Sequence, residues 1–462
     1  VRIHRRSMLG LGLSAAAAAL TGCQAKSPAG QAGSWQAPST DTAGQGGAVR
    51  AVPLGRTVGT VSQRLTGLLT VHLQPTSQNP SHPAYAGAVA LELTGGQTSA
   101  QATVGEALRF DAGPVLLPAA QRVPMRPDSI FDLASITKVY TSILVLQQVE
   151  KGRLDLNAPV VSYLPEFTGT GKSAVTVAML LTHTSGLPVG ASGTSSGSLA
   201  ARWKAVLATP LVSGAVPGRV YRYSSVGLMV AGKLVEKVTG QTLDQALKSN
   251  LADPLGLRWT GFTPNTWISS AERAARMVAT DARSSRGLLR GIVHDDVANH
   301  LGGVAGHAGV FSTAQEVAVI GQLLLDGGVY GGQRILAEST VRRMLTNANV
   351  GLPAVDPERP GRSSDHGLGV VLNQPWFMGR LSRPTTFGHT GFTGTSLLVD
   401  PARRRVLVLL TNRAHPNWSW ANPDPVRVAV ANELARWDDL TGPRTRPPAR
   451  PGAATPPPPP RR

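Results

Sequence analysis

The strongest constraint on the fold is that the segments with strand character lie at opposite ends of a long chain. Ala86–Leu93 reads AGAVALEL, an apolar alternation with the two-residue period of a strand, and Gly95-Gly96 marks a turn after it. Far downstream, Gly394–Val399 and Val406–Thr411 read as two more strands, with Asp400-Pro401-Ala402-Arg403 turning between them. Helical periods fill the interval. Ile136–Glu150 carries Val139, Ile143, Val145 and Leu146 on an apolar face and ends at Lys151-Gly152. Val226–Val238 stops at Thr239-Gly240, and Ser312-Thr313 caps a helix through Glu316 to Leu325, before Gly327-Gly328. Asn422–Trp437 gives a last helix. Strands at both ends with helices between predict an α+β chain: one antiparallel sheet assembled from distant segments, plus a helical insert.

The globular part spans about 63–440, and its flanks differ in composition. Residues 23–62 are rich in Gly, Ser, Ala, Gln, Thr and Pro and read as a flexible tether. Residues 441–462 form a Pro/Arg-rich tail that cannot pack a core; contact with anionic wall polymers and plain compositional bias explain it equally well. Residues 1–22 combine a basic start with a short apolar run, Met8 to Leu20, too short to span a bilayer comfortably. The Arg5-Arg6 pair before a Gly/Ala-rich core resembles a twin-arginine export signal, and Leu20-Thr21-Gly22-Cys23 resembles the lipobox of bacterial lipoproteins. Those resemblances imply export, lipidation at Cys23 and an extracytoplasmic protein anchored to the cell membrane. Cys23 is the only cysteine, which excludes an internal disulfide and any multi-cysteine metal site. The net charge of +18 is scattered apart from the termini. No finger-like, RNP-like or helix-turn-helix pattern accompanies it, so loose attraction to an anionic surface is expected rather than nucleic-acid binding.

Three short motifs carry chemistry. The first is Ser135-Ile136-Thr137-Lys138, at the start of a helix, where positions i and i+3 share a face. A serine hydroxyl needs a base to become a nucleophile, and an amine serves once burial, positive charge or a helix N-terminus disfavours its ammonium. The second is Tyr223-Ser224-Ser225, leading into the next helix. A phenol facing two cations can relay protons, and Ser225 can add a hydroxyl to the same network. The third is His389-Thr390-Gly391, followed by Phe392, in a glycine-interrupted strand. Such a strand lets a substrate approach the backbone, pair with it and receive an oxyanion donor.

In this order, Ser-x-x-Lys, Tyr-x-Ser and His-Thr-Gly resemble the motifs of the serine β-lactamase and penicillin-binding protein family. Phe131–Lys138, Leu180–Leu187, Leu301–Thr313 and Gly388–Gly394 resemble its class C β-lactamase, D-alanyl-D-alanine carboxypeptidase and esterase branch. The resemblance implies a β-lactamase/transpeptidase-like fold, an antiparallel sheet flanked by helices plus an all-helical subdomain, with the site between them. It implies that Ser135 forms an acyl-enzyme and that Lys138 and Tyr223 share the proton. It further implies that the Ser135 and Phe392 N–H groups form the oxyanion hole, that Ser225, His389, Thr390 and Gly391 line the substrate, and that no metal or cofactor is used. The substrate expected is a small molecule or a peptidoglycan D-Ala-D-Ala peptide, with esters and β-lactams as alternatives on the same fold, and the chain is expected to be a monomer. A non-enzymatic alternative is a penicillin-binding wall sensor that acylates and scarcely turns over. Two positions depart from the family's commoner residues: Ser225 stands for Asn and His389 for Lys. A neutral histidine attracts a substrate carboxylate less well than lysine, which puts the substrate in question.

Other patterns compete. Gly193-Thr194-Ser195-Ser196-Gly197 matches G-x-S-x-G, but lies in a Gly/Ser-rich run that reads as a loop, without the strand and helix that motif needs. His294, Asp295, Asp296, His300 and His307 have metal-ligand chemistry without a tight ligand spacing, and read instead as loop residues bonded to backbone. His183 reads as a turn-ordering histidine, with a role as base the alternative.

Overall fold

The two ends of the chain meet in one sheet. Gly87–Thr94 pairs antiparallel with Arg405–Thr411, in the register Ala88↔Thr411 through Leu91↔Val408 to Thr94↔Arg405. The computed structural model describes residues 56–441 apart from 357, 358 and 360. The leader, Cys23, most of the tether and the tail from 442 lie outside the described residues. Seven antiparallel strands stand in the order Val371–Leu372, Phe387–Thr390, Ser396–Asp400, Arg405–Thr411, Gly87–Thr94, Gln97–Leu108, Val123–Pro124. The strands predicted near both ends are therefore neighbours, as the antiparallel reading requires.

The two-residue period divides the sheet's side chains between two cores. Val89, Leu91, Leu397, Val399, Val406 and Val408 face the helices inserted between the first and last strands. Ala88, Ala90, Leu398, Leu407 and Leu409 face the terminal helices through Leu65, Leu69, Val430 and Leu434. Helix Ala314–Leu325 lies so close to the first face that a Cβ on Gly321 would strike Val406 Cγ1. The helical insert shares its apolar core with the sheet, so helix Ser225–Thr239 and helix Thr137–Glu150 pack in the same cluster as Val89 and Val408.

Element boundaries shift in ways with local causes. The first helix runs Arg56–Val71, so it begins inside the stretch assigned to the tether. Val61, Leu65 and Leu69 recur at helical spacing and are buried, and this outweighs the polar residues between them. Thr313 caps the helix Ala314–Leu325, accepting from the Glu316 N–H. The last helix spans Asp424–Thr441. Gly193–Gly197 lies in a loop, with Ser195 exposed and no strand before it.

Candidate active site

Ser135 sits where a strained turn becomes a helix. The short strand Phe131–Asp132 pairs with Phe311–Ser312, and the chain then passes through Ala134 at φ +46° before the 3-10 turn Ala134–Ile136 and helix Thr137–Glu150. Asp132 fixes that turn: its Oδ1 accepts the Ala134 N–H at 2.8 Å and its Oδ2 accepts the His294 N–H at 2.7 Å. The i, i+3 spacing then delivers Lys138 to Ser135. Lys138 Nζ donates to Ser135 Oγ at 2.9 Å and to the His307 carbonyl at 3.1 Å, from a fully buried position.

Tyr223 closes the triangle. Its hydroxyl donates to Ser135 Oγ at 2.9 Å, and Lys138 Nζ stands 4.9 Å from the centre of its ring. His183, at φ +57°, holds the segment that carries it: the His183 carbonyl accepts the Arg222 N–H, and Nδ1 accepts the Ser224 N–H at 3.1 Å. The turn-ordering reading of His183 describes these contacts. Burial first, then His366 and Lys138, hold the His183 imidazole well below its ordinary pKa, so it is neutral. Ser224, in the second motif, caps helix Ser225–Thr239 at the Gly227 N–H and donates to the Pro188 carbonyl. Ser225 is the first helical residue and is buried, and among the described residues its side chain makes no hydrogen bond to Ser135, Lys138 or Tyr223. The helix starts one residue before the predicted one, at Ser225.

The third motif lies on strand Phe387–Thr390, paired with Ser396–Asp400. His389 is buried, and its Nδ1–H donates to the Thr390 carbonyl at 2.8 Å. Burial and the Lys138 charge hold it well below its ordinary pKa, so this position carries no cation toward a substrate. Its ring centre is 6.4 Å from that of Tyr223. Gly391 is required by space: a Cβ there would strike the Leu133 carbonyl and Thr395 Oγ1. Arg427 from the last helix bonds the Gly391 and Thr395 carbonyls, at 2.7 and 2.9 Å. Thr393 and Thr395 donate to the Asp132 and Leu133 carbonyls, so the third motif is bolted to the turn ahead of Ser135. Thr390 is half-buried, while Phe392 is 44% exposed, with the Arg413 guanidinium 4.5 Å over its ring. The Phe392 backbone N–H has no acceptor among the described residues.

The five residues with metal-ligand chemistry disperse. Asp295 caps the short helix Asp296–His300 and meets His307 Nε2 at 2.9 Å, while Asp296 pairs with Arg286. His294 presents its N–H to Asp132, and the His300 carbonyl accepts from Arg202. Among the described residues no three His, Cys, Asp or Glu side chains gather to hold a metal. The residues that sequence reasoning missed are Asp132, Ser224, Thr393, Thr395 and Arg427. Asp132 and Ser224 had local signals, the one three residues before the serine of Ser-x-x-Lys and the other immediately before a helix.

A family model described as Beta-lactamase matches residues 81–432. A protein of Escherichia coli (strain K12) named "Putative D-alanyl-D-alanine carboxypeptidase" is 31% identical over 344 residues, covering 67% of this chain and 74% of its own length. A protein of the same name from Salmonella agona (strain SL483) is 30% identical, over 67% of this chain and 75% of its own length. A penicillin-binding protein homologue from Caulobacter crescentus superimposes with a TM-score of 0.60 at 20% identity, over 84% of this chain and 99% of its own. EstCE1, described as a hydrolase with promiscuous acyltransferase activity, does so with a TM-score of 0.60 at 21% identity, over 81% and 99%. These two structures bear on the fold, which is β-lactamase/transpeptidase-like.

Proposed function

The chain belongs to the beta-lactamase family of serine hydrolases, and on that premise we propose that it is an extracytoplasmic acyl-enzyme hydrolase acting on peptidoglycan D-Ala-D-Ala peptides. The observation that carries the mechanism is the triangle in which Lys138 Nζ and Tyr223 Oη both reach Ser135 Oγ at 2.9 Å. Ser135 Oγ attacks the substrate carbonyl, and its proton passes to the Lys138–Tyr223 pair. The oxyanion is received by the Ser135 and Phe392 N–H groups, each donor being worth about 10²–10³ in rate. The proton returns to the leaving amine as the acyl-enzyme forms. Water, deprotonated by the same pair, then releases the acyl group and regenerates Ser135.

The peptide substrate draws support from the carboxypeptidase name of the E. coli and Salmonella relatives. A second reading, an ester substrate, is favoured by one observation: the buried, neutral His389 supplies no cation for a substrate carboxylate. A panel of a D-Ala-D-Ala peptide, p-nitrophenyl esters and a chromogenic cephalosporin, run on wild type and Ser135→Ala, tests both. Peptide turnover that vanishes in Ser135→Ala supports the carboxypeptidase. Ester turnover without peptide turnover replaces it by the esterase, and an adduct mapped by mass spectrometry to another side chain ends the mechanism.

The location proposed is the outer face of the cell membrane, with export by the twin-arginine route and a lipid on Cys23. Among the described residues no helix is long and apolar enough to cross a membrane. Loss of the protein from the membrane fraction in Cys23→Ser supports the anchor, and unchanged fractionation refutes it.

A further inference from the structure

Asp132 is a buried carboxylate whose two oxygens are both spent on backbone. It is 1% exposed, Oδ1 takes the Ala134 N–H and Oδ2 the His294 N–H. Its own carbonyl accepts the Thr393 hydroxyl at 2.8 Å, and its strand pairs with Phe311. Three segments of the site therefore converge on one side chain and its peptide: the turn before Ser135, the loop at His294, and the turn after the third motif. Ala134, held directly by the carboxylate, lies at φ +46°, a region that a residue with a Cβ adopts only under constraint.

We propose that Asp132 is a positioning residue, whose carboxylate locks the left-handed turn that aims Ser135 Oγ and ties that turn to the loop at His294, while its main-chain carbonyl holds the turn after the third motif. The proposal rests on Ser135 being the nucleophile. A residue kept only to fill space would not be a carboxylate here, because asparagine fills the same volume without burying a charge. Asparagine has one acceptor oxygen, so either the Ala134 or the His294 N–H would face an NH₂ group instead. The charge is costly to the fold. Burial pushes the Asp132 carboxyl up to about 6, against the pull of the two N–H groups; Asp295 raises it further and Arg286 lowers it. A folded pKa above the ordinary 3.8 means that ionised Asp132 destabilises the native state at neutral pH, and that this cost fades as pH falls through 6. Stability and positioning thus pull in opposite directions at this side chain.

The test is Asp132→Asn, read by fluorophosphonate labelling of Ser135 and by ester turnover, with melting temperatures at pH 8 and pH 5. The acylation rate is expected to fall by roughly ten- to a hundredfold, the effect of a misaimed nucleophile. KM should stay within about twofold, since the substrate contacts are elsewhere. Tm at pH 8 should equal or exceed that of wild type, and the variant's relative standing should drop at pH 5, where wild-type Asp132 is protonated. The acid limb of wild-type acylation near pH 6 should persist in Thr393→Val and disappear in Asp132→Asn. An unchanged acylation rate in Asp132→Asn overturns the proposal. So does a Tm that falls in step with the rate at both pH values, or a variant that does not fold. Labelling that survives in Ser135→Ala sinks the nucleophile instead, so the two failures are distinguishable.

Discussion

His183 holds Tyr223 from both sides through the backbone: its carbonyl takes the Arg222 N–H and its ring takes the Ser224 N–H. Their ring centres lie 4.6 Å apart. His183→Ala leaves the Ser224 N–H without its acceptor and puts alanine at a left-handed φ, costing about 1–3 kcal/mol of stability. His183→Asn keeps an acceptor at a similar reach and tolerates that backbone, so it should recover most of the loss. Thermal melts of the two variants beside wild type check this. Equal losses in Ala and Asn would show that ring packing, not the hydrogen bond, sets the Tyr223 segment.

Tyr223→Phe removes the hydroxyl that reaches Ser135 and leaves the ring against Lys138. A positioned proton carrier contributes typically about 10²–10⁴ in rate, so kcat should fall within that range while the fold persists. Lys138→Met should be more severe, since it also withdraws a donor from the His307 carbonyl at the end of the same side chain. Pre-steady-state acylation of a p-nitrophenyl ester separates the two steps. A Tyr223→Phe enzyme that acylates and turns over at wild-type rate would leave Lys138 as the sole base.

The parts legible in the sequence are those encoded by neighbours. Ser135 and Lys138 are one helical turn apart, Tyr223 precedes a helix, and the strand segments alternate, so each announces itself within a few residues. Asp132, through the His294 N–H, and Arg427 act on backbone groups of distant segments, and no local pattern records which distant carbonyl or N–H a side chain will meet. The helix Arg56–Val71 was hidden for another reason. Its apolar residues are few and its exposed face has the Thr/Gly/Ser/Gln composition of the tether, so composition masked a periodicity that burial against the sheet makes decisive.

Six buried histidines set the acid response. Burial, chiefly, lowers His366 to about 3 and His294 and His415 to about 4, lowers His72, and holds His183 and His389 well below 6.5. Each stays neutral in the folded chain and protonates on unfolding near its ordinary value. Below pH 6.5 unfolding therefore takes up protons, and stability falls with pH by up to about 1.4 kcal/mol per unit for each histidine. Asp132, raised to about 6, opposes this by gaining its proton while folded, as do Glu92 and Glu316, whose carboxyls burial also raises, but these are three groups against six. Tm should be level between pH 8 and 7 and drop steeply below 6. Calorimetry in buffers of different ionisation enthalpy should find a net uptake of several protons on unfolding near pH 5. A Tm that is flat from pH 7 to 5 would contradict the neutral, buried state of these rings.

Gly391 offers the sharpest geometric test, because one methyl group opposes a contact that joins two motifs. The strand turn at Gly391 lies against the Leu133 carbonyl, and Arg427 fixes it there from the other side by gripping the Gly391 carbonyl. A Cβ in Gly391→Ala cannot be absorbed by a rotamer change, since the Leu133 atom in its way is backbone. Either the third-motif strand retreats from the Ser135 turn, or that turn shifts with the hydrogen bonds of Thr393 and Thr395 broken. Both outcomes separate Ser135 from the Phe392 N–H proposed as its oxyanion donor, and a displacement of about 1 Å can cost on the order of 10²-fold in rate. Overpacking of this kind costs typically about 1–3 kcal/mol, so the variant should fold with a lowered Tm. Its loss should appear in kcat more than in KM, and Ser135 should label more slowly with a fluorophosphonate. A Gly391→Ala enzyme acylated at the wild-type rate would mean that the oxyanion donor lies elsewhere than on the Phe392 turn.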